Sequence, residues 1–234
     1  MDKEESSVIE KWPLPLRLAA VLVISAVNFF PVVYMLFRWK SAGVLIPSDH
    51  ASLDLTARII QDVKTLLVPV AILIVFFLIL KKNFFTEMYL KVKGKKQWIP
   101  ISVVIVLMLG TAAYSLITKE DKVSALYCLF YYTFVIAFSE EIICRGVCTY
   151  CLKNDKTAVR YLVPNLIFAL LHIFSLSGWG NITGPFLFDF FKNYVPVTLG
   201  VGCLFQLAKE KSGTIWLPVL IHACYNYMLS VNGM

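Results

Sequence analysis

Charge is scarce in this chain. Asp, Glu, Lys and Arg supply 16% of its 234 residues, against about 25% in soluble domains. Acids are the scarcer sign, 15 against 22 bases, which leaves a net charge of +7 and a pI near 9.1. Hydrophobic residues reach 59% and the mean hydropathy is +0.73, well above the apolar share of about 45–50% in soluble proteins. That balance excludes an ordinary soluble domain. It predicts an all-α polytopic transmembrane bundle forming one membrane domain. Other absences narrow the class further. No segment interleaves exposed basic residues with aromatics, so a nucleic-acid partner is excluded and the positive charge is assigned to loops facing anionic lipid. The six cysteines, Cys128, Cys144, Cys148, Cys151, Cys203 and Cys224, sit mostly in apolar runs and imply no disulfide framework. The lone C-x-x-C at 148–151 has neither a second pair nor a nearby histidine, which argues against a zinc or redox role. The N-terminus MDKEESSVIEKW is mixed in sign, and the apolar run after it has no small-residue cleavage site. It therefore does not read as a cleaved signal peptide. No internal repeat, heptad array or low-complexity tract is present.

What is present is a series of apolar runs near the ~20 residues that a span requires. They fall at about 15–37, 65–80, 98–118, 124–146, 158–178, 192–208 and 213–231. Pro31 is expected to kink the first. Residues 38–64 read as a loop, with 51–64 a short helix at the interface. The stretch 184–191 also reads as interfacial, and a split segment near 184–208 would raise seven spans to eight. Loop 81–97 holds Lys81, Lys82, Lys91, Lys93, Lys95 and Lys96 against the single acid Glu87, which places it in the cytoplasm. The N-terminus is then cytoplasmic, and loops 153–160 and 209–211 fall on the same side. The fourth span is expected to continue as helix to about Lys153. Within the one membrane domain, 1–123 contributes N-terminal helices and 124–234 the polar core described next.

Polar residues at membrane depth are costly, by about 2.5–3.5 kcal/mol for a charge at the centre of a span, so each needs a partner or a use. Glu140 and Glu141 follow the apolar run 124–138, and Arg145 comes one turn later. Glu141 and Arg145 are an i,i+4 pair on one face. Glu140 lies about 140° from Arg145 around the helix, which leaves it able to take or give a proton. The alternative is an ion pair snorkelling to water. His172 follows Phe168 by one turn in the fifth span. His222 and Asn226 share a face of the seventh, where Asn226 can orient the imidazole or donate to an oxyanion. Asp189 and Lys192 read as an interfacial ion pair, and the third histidine, His50, falls in a loop.

Glutamate, two histidines and asparagine from three spans can activate a water and stabilise a developing oxyanion. Glu140, His172 and His222 are equally the ligand types of a divalent metal such as zinc. The sequence leaves metal-bound and glutamate-activated water both open, and the H-E-x-x-H signature is absent. Ser139, Cys144 and Cys224 lie beside these residues without a histidine close in sequence, which gives a serine or cysteine nucleophile little support. The lack of paired, interrupted half-repeats argues against a transporter.

The ordered trio Glu140-Glu141-x-x-x-Arg145, Phe168-x-x-x-His172 and His222-x-x-x-Asn226, spread over about 124–230, resembles the CPBP family: the CAAX prenyl proteases and the bacteriocin-processing or immunity proteins of Abi type. The resemblance implies an intramembrane endopeptidase in which Glu140 and His172 activate water, while His222 and Asn226 stabilise the oxyanion. The implied partners are a peptide or lipidated-protein substrate and membrane lipids. The family also holds members acting as membrane regulators or self-immunity scaffolds, which is the alternative reading here. Size and the lack of targeting signals suggest the plasma membrane of a bacterium.

Overall fold

A computed structural model describes residues 8–41, 55–176 and 182–233. Among the described residues every regular element is helical and no strand occurs. After a short 3₁₀ turn at Val8–Lys11 come α1 (Leu14–Ser41), α2 (Leu55–Ile79), α3 (Phe84–Glu87), α4 (Lys95–Thr118), α5 (Lys122–Cys151), α6 (Thr157–Leu176), α7 (Gly184–Asp189), α8 (Val195–Ser212) and α9 (Trp216–Gly233). Three stretches are long and apolar enough to cross a membrane: Asp62–Ile79, Lys95–Thr118 and Lys122–Cys151. Leu14–Phe30 and Thr157–Ile173 are shorter apolar helices.

Of the three long stretches α5 is the central one. Within the 18-residue apolar window of each stretch, 56% of the residues are buried in α5, against 28% in Asp62–Ile79 and 22% in α4. The start of α5 is set by Asp121, whose carboxylate accepts from the Ser124 amide at 2.9 Å and from the Ser124 hydroxyl at 2.6 Å, satisfying donors that the first helical turn leaves open. The core gathers on this helix from both directions in sequence. Ile9, Val21, Leu73, Phe77 and Met88 join Ile142, Cys144, Val147, Cys148 and Leu152, and with them Phe168, Val219 and Ala223. Phe77 packs edge-on against Tyr150 at 5.0 Å. Arg17 of α1 reaches Asp155, just past α5, at 2.5 Å.

Three expectations need correction. The interfacial helix at 51–64 is, from Leu55 on, the first part of α2. Asp62 is fully buried and accepts a 2.6 Å hydrogen bond from the Tyr127 hydroxyl, so its turn belongs with the apolar turns that follow. The first helix likewise runs through Pro31 to Ser41, so 38–41 is helix and not loop. Residues 42–54, with His50, lie outside the described residues, as does 177–181. The segment 184–191 is helical and passes through a π turn, Phe190–Tyr194, into α8 without a break. Pro196 withdraws an N–H from that helix, and the wide turn before it absorbs the missing bond. In the same region Asp189 accepts from the Asn193 amide at 2.6 Å, while the Lys192 ammonium rests over Phe188 at 5.4 Å. The π turn brings i+4 beneath i, so Asn193 and not Lys192 is the partner of Asp189.

Candidate active site

Glu140 and Glu141 occupy a short α-helical turn, Ser139–Glu141, between two π-helical stretches, Tyr131–Phe138 and Ile142–Cys148. Turns of this kind are rare and concentrate at functional sites. The two carboxylates have different surroundings. Glu141 is fully buried. Its Oε2 lies 3.2 Å from Arg145 Nε, and its Oε1 accepts from His222 Nδ1 at 3.0 Å. Glu140 keeps 20% of its side chain exposed, and its Oε2 lies 3.7 Å from His222 Nε2. That oxygen is itself buried and has no hydrogen-bond partner among the described residues.

The i,i+4 pair expected of Glu141 and Arg145 is present, with both side chains at zero exposure, so it does not snorkel to water. A guanidinium buried to that degree needs more than one carboxylate. Arg145 Nη2 donates to Asn165 Oδ1 at 2.8 Å and to the Gly202 carbonyl at 3.1 Å. Its plane lies 4.4 Å from the Phe168 ring centre and 5.5 Å from that of Phe205. Asn165 is held in turn by donation to the Tyr161 carbonyl at 2.7 Å. Gly202 is required by close approach: a Cβ there would stand 2.5 Å from Asn165 Oδ1 and 2.8 Å from Arg145 Nη2.

The structure brings His222 to both glutamates. It orients that ring through Glu141 and through Phe205, which stacks on it at 5.0 Å with 26° between planes. Asn226, on the next turn, is half-buried and makes no hydrogen bond among the described residues, so it does not hold the imidazole. Phe168 links the two histidines edge-on, 4.8 Å from His172 and 5.7 Å from His222. His172 Nδ1 lies 2.8 Å from the Phe168 carbonyl. A carbonyl only accepts, so Nδ1 carries the proton and the lone pair of the neutral ring is on Nε2. Tyr194 packs against the other side of His172 at 5.6 Å.

Among the described residues no three His, Cys, Asp or Glu side chains converge as a metal-binding group. Both His222 nitrogens face carboxylates, an arrangement that suits an N–H donor better than a metal ligand. Glu140, His172 and His222 as placed therefore do not fit a shared metal. Ser139 is buried, and the Cys144 thiol sits in the apolar core.

Asn165, Gly202, Phe205 and Tyr194 were missed as site residues by the sequence reading. Asn165 had a signal, since 165, 168 and 172 share one helix face with Phe168 and His172. Gly202 and Phe205 had none, because their part depends on how α8 crosses α6.

Residues 122–228 match one family model, described as type II CAAX prenyl endopeptidase, Rce1-like. No curated protein and no solved structure matches the chain. The matched stretch begins at the first residue of α5 and carries every motif residue from Glu140 to Asn226. With its apolar helices and this site, the stretch 122–228 is thus similar to the Rce1-like type II CAAX prenyl endopeptidases.

Proposed function

We propose that the chain is a membrane-embedded endopeptidase that cuts a peptide or the C-terminal region of a membrane-associated, prenylated substrate, using water activated at Glu140. The observation that carries this reading is the inequality of the two glutamates. Glu141 holds a 3.0 Å hydrogen bond from His222 and a 3.2 Å ion contact with Arg145 at zero exposure, while Glu140 is partly exposed and has only a 3.7 Å contact with the same imidazole. A water seated on the Glu140 carboxylate gives its proton to Glu140 as its own oxygen attacks the scissile carbonyl carbon. Glu140 then passes the proton to the leaving amine as the C–N bond breaks. His172 Nε2 orients the water by its lone pair. The oxyanion accepts from the Asn226 amide and, with the His222 ring doubly protonated so that Nδ1–H remains on Glu141, from His222 Nε2–H. Donors aimed at an oxyanion are worth about 10²–10³ in rate each, and a placed general base about 10²–10⁴.

Glu141 and Arg145 act through His222. They fix its ring by the Nδ1–H bond, and Arg145 offsets the second carboxylate. The finer placement belongs to the same proposal: seven or eight spans in the plasma membrane of a bacterium, with the N-terminus and the lysine-rich loop 81–97 in the cytoplasm. The deciding experiment is cleavage of prenylated and unprenylated C-terminal peptides by the purified protein and its Glu140→Gln variant. Cleavage by the parent protein and none by a normally folded Glu140→Gln is the expected result. Full activity in the variant removes Glu140 as the base, and no cleavage of any peptide by the parent protein favours the regulator or immunity-scaffold reading.

A further inference from the structure

A cavity of about 570 Å³ opens at the polar ends of the helices, between the segment 86–97 and the ends of α5, α6 and α8. It is separate from the glutamate–histidine site. Five cations line it, Lys91, Lys93, Lys153, Arg160 and Lys209, against two acids, Glu87 and Glu210, for a balance of 5 − 2 = +3. Both acids are already engaged. Glu210 accepts from the Tyr161 hydroxyl at 2.8 Å and from the Gln206 amide at 3.0 Å, with Arg160 at 4.0 Å.

Lys209 is the unusual member. It lies just beyond the apolar run 192–208, yet it is only 7% exposed. Its ammonium has three N–H donors. One goes to the Thr149 hydroxyl at 2.9 Å, and the Tyr89 ring covers the ammonium at 4.4 Å. Among the described residues no carboxylate lies within ion-pair distance of it, and Glu210 acts on it only from farther away. Buried ammonium groups are ordinarily paired with an anion, and burial has pushed this one down to about 8. Tyr89 is held with φ at +55°, a conformation that a bulky residue adopts only when its surroundings impose it. Its carbonyl accepts from the Ile215 amide at 3.1 Å and the Thr214 hydroxyl at 3.2 Å, which fix the ring over the cavity wall.

We propose that this cavity is a binding site for a phosphate group, with Lys209 as its buried anchor and the exposed Lys91 and Lys93 at its mouth. The volume is far larger than a carboxylate needs and admits a phosphorylated head. Exposed Phe85 and Trp98 on the flanking segments suit the interfacial depth at which anionic lipid heads lie. The phosphate therefore comes either from such a lipid or from a soluble phosphate. The inference stands apart from the peptidase reading. It has a route to that site, though, because the Thr149 hydroxyl that accepts from Lys209 also donates to the Arg145 carbonyl.

The test uses the full chain in phosphatidylcholine nanodiscs with and without phosphatidylglycerol, and with inorganic phosphate titrated into the lipid-neutral discs. Binding is followed by phosphorus NMR and thermal shift. Saturable binding is expected, weakened about tenfold or more by Lys209→Met, as for loss of a charge-assisted contact. Lys95→Gln removes the same single charge outside the cavity and is expected to leave binding unchanged. Saturation by phosphatidylglycerol alone assigns the phosphate to lipid, and saturation by inorganic phosphate assigns it to a soluble source. Should Lys209→Met fail to fold, the double variant Lys91→Gln, Arg160→Gln on the cavity wall is expected to weaken binding in its place. Absence of saturable binding to either probe, or equal weakening by Lys95→Gln and the cavity variants, overturns the proposal.

Discussion

Replacing Glu140 and Glu141 one at a time by glutamine should separate chemistry from stability. Both substitutions keep shape and remove one charge. At Glu141 the loss strands two partners, because Arg145 and His222 both lean on that carboxylate at zero exposure. Breaking a buried pair by removing one partner costs about 3–5 kcal/mol. For a chain of this size each kcal/mol moves the unfolding midpoint by about 2–4 °C, so Glu141→Gln should lower Tm by about 6–20 °C. At Glu140 the oxygen facing His222 accepts no hydrogen bond to begin with, and the 3.7 Å contact with a partly exposed group contributes little. Glu140→Gln should leave Tm within a few degrees of the parent and lose about 10²–10⁴-fold in cleavage rate. Thermal unfolding in detergent, measured beside peptide cleavage on the same preparations, decides it. Equal Tm losses in the two variants, or a Glu140→Gln that cleaves as well as the parent, would refute the division of labour.

Gly202→Ala should lower both stability and activity, by about 1–3 kcal/mol for the former, since its Cβ lands within 2.8 Å of Asn165 and Arg145; thermal unfolding reads the loss. The double variant His172→Ala, His222→Ala should abolish any phenotype that depends on cleavage, whereas a scaffold would keep its phenotype. Cleavage should survive dialysis against a chelator, because the candidate ligands do not converge on one point; loss restored by a divalent metal would contradict this. Lys209 yields a pH prediction. Its folded pKa, about 8, is below the ordinary 10.5, so between these values the unfolded chain binds the extra proton. Stability should therefore rise as pH increases from about 8 to 10.5, by about 3 kcal/mol at most, and Lys209→Met should flatten that rise in a pH series of unfolding midpoints.

The all-helical architecture was legible because backbone groups in lipid must be satisfied locally, so apolar runs translate directly into helices such as α4 and α5. The Glu141–Arg145 pair was legible for the same reason, being fixed by helical spacing. What spacing could not show was the contact across helices. His222 and Asn226 share a face, yet the imidazole turned to Glu141, eighty-one positions away. Asp62, in the stretch expected at the interface, and Lys209, in the expected loop 209–211, are each buried against a hydroxyl, Tyr127 in one case and Thr149 in the other. Nothing local distinguishes a charge that faces water from one that has found such a partner.

The clasp between Arg17 and Asp155 has a consequence for how the chain is made. The two residues are 138 positions apart, so at about 5–20 residues per second on the ribosome the first helix waits about 7–28 s before its partner exists. The buried Ser25 hydroxyl, which meets the Cys148 thiol at 3.4 Å, waits almost as long. During that interval lipid or an insertion factor must shelter polar groups that the finished protein encloses, and assembly is then completed from its far end.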